Sequence, residues 1–309
     1  MKDDVVLVKD FRKVYGDTVA VDGISFEVHH GEIFGLLGPN GAGKTTTMES
    51  LEGLRQPSSG SLRIFEVDPT RQPKSLHNMI GVQLQSSSLP GSMTPHEAME
   101  FFCAYHQVTP RDDLLERLGL GDKKHSQFSA LSTGLQRRLA LALAIAHDPP
   151  VVLLDEPTAG LDVGSRVELH EVMREMRAKG TTIILATHDM AEAEKMTDRV
   201  AILLKGKIAA TGSPTQLTAT GNGLVKISVS SEAGSLLQNA GVFPAVSQQI
   251  IKDEYVIYYS HEAGETVPAI LDSLKTQDDR LVDLRVERPS LEDRFLEITQ
   301  PDLPNGGKS

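Results

Sequence analysis

Nine residues, Gly38-Pro39-Asn40-Gly41-Ala42-Gly43-Lys44-Thr45-Thr46, limit the folds open to this chain more than any other stretch. They fit the pattern G-x-x-x-x-G-K-[ST] and follow an apolar run, Ile33-Phe34-Gly35-Leu36-Leu37. That order predicts a buried strand, a tight loop and a helix starting near Gly43. Successive backbone N–H groups of such a loop point inward and form a nest for phosphates. Glycine is needed where the chain turns sharply and comes close to the anion. Lys44 is placed to reach the β- and γ-phosphates of a nucleotide, and the Thr45 hydroxyl to ligate Mg²⁺.

The rest of the chain supplies a setting for such a loop. Short apolar runs alternate with helical patterns: Val5–Val8, Ile24–Val28, Ile33–Leu37, Leu62–Phe65, Met79–Gln83, Val151–Leu154, Thr182–Ala186 and Val200–Leu204. The last run turns at Lys205-Gly206-Lys207 into a hairpin. Val151–Leu154 and Thr182–Ala186 are continuously apolar, as strands buried on both faces must be. Alternation with helices implies a parallel α/β core. A helical subdomain is expected at about 86–148. Within it Thr94-Pro95-His96-Glu97 reads as a helix start with a capping box. Ala98, Met99, Phe101, Phe102 and Tyr105 then form an apolar stripe expected to face the core.

The first domain is expected to span 1–212. A polar stretch, 213–223, reads as a linker. Residues 224–300 read as a small accessory domain in the order βαββαβ plus a helix, a ferredoxin-like α+β unit. The tail 301–309 has too little apolar content to pack and is expected to be disordered.

Bulk composition narrows the partners. Acidic residues outnumber basic ones 42 to 31, a formal charge of −11, which argues against a nucleic-acid-binding face. Cys103 is the only cysteine, so disulfides and thiolate metal sites within the chain are excluded; it reads as a small core residue. Met1-Lys2-Asp3-Asp4 does not resemble a signal peptide, and no run approaches the length of a membrane span. Any membrane role is expected to act through a partner.

Two further stretches carry chemistry. Val151-Val152-Leu153-Leu154-Asp155-Glu156 brings two carboxylates to the end of a buried strand, where α/β proteins bind ligands. Asp155 can hold the hydration shell of Mg²⁺, and Glu156 can orient and deprotonate a water for in-line attack on a γ-phosphate. Leu131-Ser132-Thr133-Gly134-Leu135-Gln136-Arg137-Arg138 places a Ser cap and a glycine at a helix N-terminus, a site suited to an anion.

With these motifs in this order, residues 5–220 resemble an ATP-binding-cassette (ABC) ATPase. Leu131–Arg138 is similar to the family signature LSGGQ. Ala159-Gly160-Leu161-Asp162 resembles the D-loop, Thr187-His188-Asp189 the switch-histidine region, and Ile80–Gln85 the Q-loop, with Gln85 in the glutamine position. Tyr15 matches the aromatic that stacks on adenine. The resemblance implies a P-loop core of ABC type, with antiparallel β and helical subdomains, that binds ATP and Mg²⁺. Gly38, Pro39, Asn40, Gly41, Ala42, Gly43, Lys44, Thr45 and Thr46 would hold the phosphates. Thr45, Gln85 and, through water, Asp155 would hold the metal. Glu156 would be the base, and His188 would contact the γ-phosphate. Ser132, Thr133, Gly134 and Leu135 would serve the nucleotide of a second copy in trans, with Asp162 coupling the two sites. The signature departs from the family at Thr133, which replaces a glycine, and at Leu135, which replaces the glutamine.

The same resemblance implies a nucleotide-dependent homodimer. It would be cytoplasmic and peripheral on the inner face of the cell membrane, driving separate integral-membrane subunits. Ser86–Tyr105 resembles the surface that meets them. Arg288-Pro289-Ser290-Leu291-Glu292-Asp293-Arg294-Phe295-Leu296-Glu297 is similar to the accessory segment of daunorubicin-resistance-type exporters. An importer ATPase, or an ABC ATPase acting on nucleic acid or ribosomes, is the alternative.

Overall fold

A computed structural model describes residues 4–84, 89–219, 224–238, 241–287 and 289–299. The chain divides into two units, Met1–Ser213 and Pro214–Ser309. In chain order the described elements of the first are β1 (Asp4–Tyr15), β2 (Thr18–His29), β3 (Ile33–Leu37), α1 (Lys44–Leu51), β4 (Ser59–Ile64), α2 (Pro73–Leu76), β5 (Ile80–Gln83), α3 (Pro95–His106), α4 (Asp112–Arg117), α5 (Thr133–Ile145), β6 (Val151–Asp155), α6 (Val163–Ala178), β7 (Thr182–Thr187), α7 (Met190–Met196), β8 (Arg199–Leu204) and β9 (Lys207–Gly212).

Six strands form one sheet in the order β5-β6-β7-β3-β8-β9, parallel except for β9. Alternation along the central strands shows why their sequences are apolar throughout. Val152, Leu154, Ile183 and Leu185 enter a helical core with α3, α5 and α6. Val151, Leu153, Ile184 and Ala186 enter the opposite core, shared with α1 and the antiparallel sheet β2-β1-β4. With both faces covered, the interior positions of these strands are apolar and polar residues fall only at their ends. Strands β8 and β9 join through Lys205 and Gly206, both at positive φ, the geometry of a tight two-residue hairpin.

Strands β1 and β2 are longer than their apolar runs. Beyond Val8 the ladder continues through bulges, with Asp10 at positive φ and only Phe11 turned into the core. The polar remainder faces outward, so apolar runs mark only part of each strand. The capping box of α3 forms, with Thr94 accepting from the Glu97 amide and Glu97 accepting from the Thr94 amide. Ala98, Met99 and Cys103 are buried beneath it. The stripe is not wholly core, however: Phe101 and Tyr105 are 61% and 62% exposed. They lie on the flank of α3 that the helical core does not cover.

The second unit contains α8 (Pro214–Ala219), β10 (Val225–Ser231), α9 (Ser235–Gln238), β11 (Val246–Lys252), β12 (Tyr255–Ser260), α10 (Ala263–Thr276), β13 (Leu281–Glu287) and α11 (Leu291–Thr299). Its sheet, β11-β12-β10-β13, is antiparallel throughout, the split-βαβ arrangement. Ile227, Val229, Val256, Tyr258, Ile270 and Leu274 are its core. The stretch read as a linker is helical over 214–219. Proline suits the first turn of a helix, Leu217 is buried, and α8 packs against α11. Residues 220–223, Arg288 and the tail 301–309 lie outside the described residues. Among the described residues, no helix is long and apolar enough to cross a membrane.

Asp279 ties this unit together. It accepts from the amides of Ser235 (2.9 Å) and Ala233 (2.8 Å) and from Ser231 Oγ (2.7 Å). The hydrogen bonds from Ser235, Ala233 and Ser231 hold its carboxyl well below the usual range. A depressed carboxyl contributes stability in full above its unfolded value, about 4, and loses it as pH falls through the lower folded value. Asp279→Ala should therefore lower the thermal midpoint at pH 7. The gap from wild type should shrink as pH falls below about 4; circular-dichroism melts across this range test it, and a pH-independent gap would contradict it.

Candidate active site

In the order β6-β7-β3 the three strands run parallel, so their C-terminal ends share one sheet edge. Register sets the level: Leu37 pairs with Thr187, and Asp155 with Ala186. Gly38, Glu156 and His188 therefore leave the sheet side by side.

After β3 the loop passes through Gly41 and Gly43 at φ of 79° and 104°, conformations that strain any side chain. A Cβ on Gly43 would lie 2.8 Å from the Ala20 carbonyl oxygen on β2, and one on Gly38 would lie 2.4 Å from that of Leu203 on β8. The loop is pinned between two neighbours, with Gly38 and Ala42 buried and Pro39, Asn40 and Gly41 exposed. Helix α1 starts at Lys44 with no side chain capping it, so its first amides remain donors for an anion. Thr46 lies in this first turn, half-buried.

Lys44 is buried. Its Nζ donates to the carbonyls of Gly38 (2.6 Å) and Pro39 (3.2 Å) and lies 3.7 Å from Glu156 Oε1. Burial draws the ammonium below the usual lysine range, against the opposing pull of Glu156 and Asp155. Thr45 Oγ1 donates to Asp155 Oδ2 at 3.0 Å, while Asp155 Oδ1 is buried with no donor among the described residues. Burial raises the Asp155 carboxyl, and the Thr45 bond offsets part of that rise. A hydroxyl beside a carboxylate with a free buried lone pair is a hard-oxygen donor set of the kind that suits Mg²⁺. Gln85 lies outside the described residues.

Glu156 sits at φ 50°, which costs on the order of 1–3 kcal/mol for a non-glycine residue. Two contacts secure it. Its amide donates to Ala186 O at 2.9 Å, and Arg137 Nη1 on α5 donates to its carbonyl at 3.0 Å. Its Oε2 lies 2.7 Å from Nδ1 of His188, whose side chain is 55% exposed. Behind it, Thr158 Oγ1 donates to buried Glu192 (2.7 Å), which also lies 3.0 Å from His170 Nε2. Motif reading gave Arg137 no role of its own and missed Thr158, His170 and Glu192; these contacts join residues far apart in sequence.

The other sequence candidates lie elsewhere. Ser132 caps α5, accepting from the Leu135 amide at 3.3 Å; Ser132 and Thr133 are exposed, and Leu135 packs on the helical core. Gly134 approaches Ser165 so closely that a Cβ would lie 3.3 Å from its hydroxyl. Among the described residues none of these four hydrogen-bonds to the phosphate loop. Asp162 caps α6, accepting from the Ser165 hydroxyl (2.6 Å) and amide (3.0 Å), and these bonds lower its carboxyl. Tyr15 ends β1, half-exposed, with Lys13 Nζ 5.0 Å from its ring centre.

Residues 21–159 match the profile of the ABC transporter family. Over 98% of its own length the chain is 31% identical to daunorubicin resistance ATP-binding protein DrrA3 of Streptomyces coeruleorubidus, of which it covers 98%. It is 36% identical to Nod factor export ATP-binding protein I of Paraburkholderia xenovorans, covering 94% of this chain and 96% of that one. A solved structure of the ATP-binding subunit of an ABC transporter superposes with a TM-score of 0.66 at 27% identity, over 71% of this chain and 93% of its own. The chain belongs to the ATP-binding proteins of the ABC transporter family, which bind and hydrolyse ATP.

Proposed function

We propose that the chain is the ATPase subunit of an ABC exporter, working as a head-to-tail pair that drives separate membrane subunits from the inner face of the membrane. The convergence of Lys44, Thr45, Asp155, Glu156 and His188 at one sheet edge carries the catalytic part of this reading. Full-length similarity to DrrA3 and to the Nod factor export protein supports the exporter part.

In this reading, the amides of 38–46 and the Lys44 ammonium bind the phosphates of ATP through charge-assisted hydrogen bonds. Tyr15 stacks on the adenine. Thr45, Gln85 and, through water, Asp155 would hold Mg²⁺, whose charge would neutralise phosphate oxygens. Glu156 orients a water and takes its proton, and His188 fixes the water and γ-phosphate in line. Ser132, Thr133, Gly134 and Leu135 close on the nucleotide of the opposite copy, and Asp162 links the two sites. ATP favours the closed pair and hydrolysis the open one, so the cycle alternates between two shapes. A groove between β5, α3 and α5, which includes the exposed flank at Tyr105, receives the membrane subunit.

A tagged chain purified from its own membranes in mild detergent should bring down an integral-membrane protein whose retention changes with ATP. Recovery of nucleic acid or ribosomes in its place would refute the transport reading.

A further inference from the structure

The groove beside β5 is a cavity of about 540 Å³ walled by Leu76, Ile80, Val82, Phe102, Phe128 and Leu143. It also holds a ladder of rings. His77 stacks on His106 at 4.3 Å, His106 on His147 at 3.7 Å, and Tyr105 meets His77 edge-on at 4.2 Å. Among the described residues of the lining, Glu52, just past the end of α1, is the only carboxylate, and none is a lysine or arginine. Its Oε2 is buried and accepts no hydrogen bond among the described residues.

No local cation answers this carboxyl. Burial, then Asp155 and Glu49, push it up to about 7, and both of those neighbours are acidic residues. Arg55, the nearby base, is engaged by Glu49 at 3.0 Å. The imidazoles of His106 and His147 do not serve either. Burial, with His147 and His77 beside it, brings His106 down to about 4, and burial also lowers His147, where Asp148 pulls weakly the other way. His106 is thus neutral near pH 7, and its Nδ1 lies 3.2 Å from Asn78 Oδ1.

We propose that the groove's occupant is an amphipathic helical segment of the membrane subunit bearing one arginine or lysine, whose cation pairs with Glu52 while its apolar face covers the walls. A carboxylate in an apolar wall is costly to ionise alone, and an incoming cation removes that cost where a neutral or acidic segment does not. Aromatic faces beside it also suit a stacked guanidinium. The inference rests on the docking role proposed above for this groove.

The test uses the full chain and a set of labelled leucine- and alanine-based helical peptides that differ only in carrying Arg, Gln or Glu at one position. By fluorescence anisotropy, the Arg peptide should bind about tenfold more tightly than the Gln peptide. Glu52→Gln should erase that preference, and Glu52→Lys should transfer it to the Glu peptide. The transfer separates a lost ion pair from a damaged groove. Equal binding of the Arg and Gln peptides, or an Arg preference that survives Glu52→Gln, overturns the proposal. Equal binding that Phe102→Ala abolishes leaves the groove as a docking place and removes only the cation. No binding by any peptide overturns both. Failure of the ATPase reading would show separately, as normal turnover in Glu156→Gln.

Discussion

Replacing Glu156 by Gln should cut steady-state ATP turnover by about 10²- to 10⁴-fold and leave ATP binding intact. The amide keeps the shape of the carboxylate, and the backbone bonds to Ala186 and Arg137 do not involve the side chain. What disappears is the acceptor for the proton of the attacking water. The His188 contact at 2.7 Å changes character, because an amide carries no charge with which to orient the ring. With the chemical step blocked and the binding step intact, the closed form should accumulate, seen as an ATP-dependent dimer by size-exclusion chromatography with light scattering. Normal phosphate release from this variant would remove Glu156 from its role as base.

Lys44→Ala should act at the earlier step, weakening ATP binding by roughly 30- to 1,000-fold, the equivalent of about 2–4 kcal/mol for lost charge-assisted bonds to phosphate. The depressed lysine implies that the protein holds this ammonium at a desolvation cost that its acidic neighbours only partly offset. The phosphates of a bound nucleotide would supply the missing compensation. Isothermal titration with a non-hydrolysable ATP analogue measures the loss, and affinity within a few-fold of wild type would contradict it. The two variants are complementary: one should bind without turning over, the other should fail to bind.

The parts of the fold legible from sequence are those where a local pattern and its burial coincide. Val151–Leu154 and Thr182–Ala186 announced themselves because both faces of their strands are covered. Thr94 and Glu97 announced α3 because a capping box is made within four residues. The phosphate loop could be read because its glycines answer to backbone conformation and close approach, which no other residue meets. Where structure depends on remote contacts, the pattern fell short. Half of β1 is polar because one face meets solvent. The short helix at 214–219 was hidden by turn-forming residues and is held by packing on α11. Arg137 and Glu156, or Glu52 and His147, come together only once strand order is known.

Arg137 has a further implication. It lies on the helix that begins with Ser132, and its guanidinium grips the main chain of Glu156. Less than two turns of helix thus separate the tip that would press on a neighbour's triphosphate from the grip on this copy's own hydrolytic group. In the proposed pair, pushing on either tip would re-aim the machinery just behind it. Two such catalysts would then share a single trigger rather than keep separate clocks.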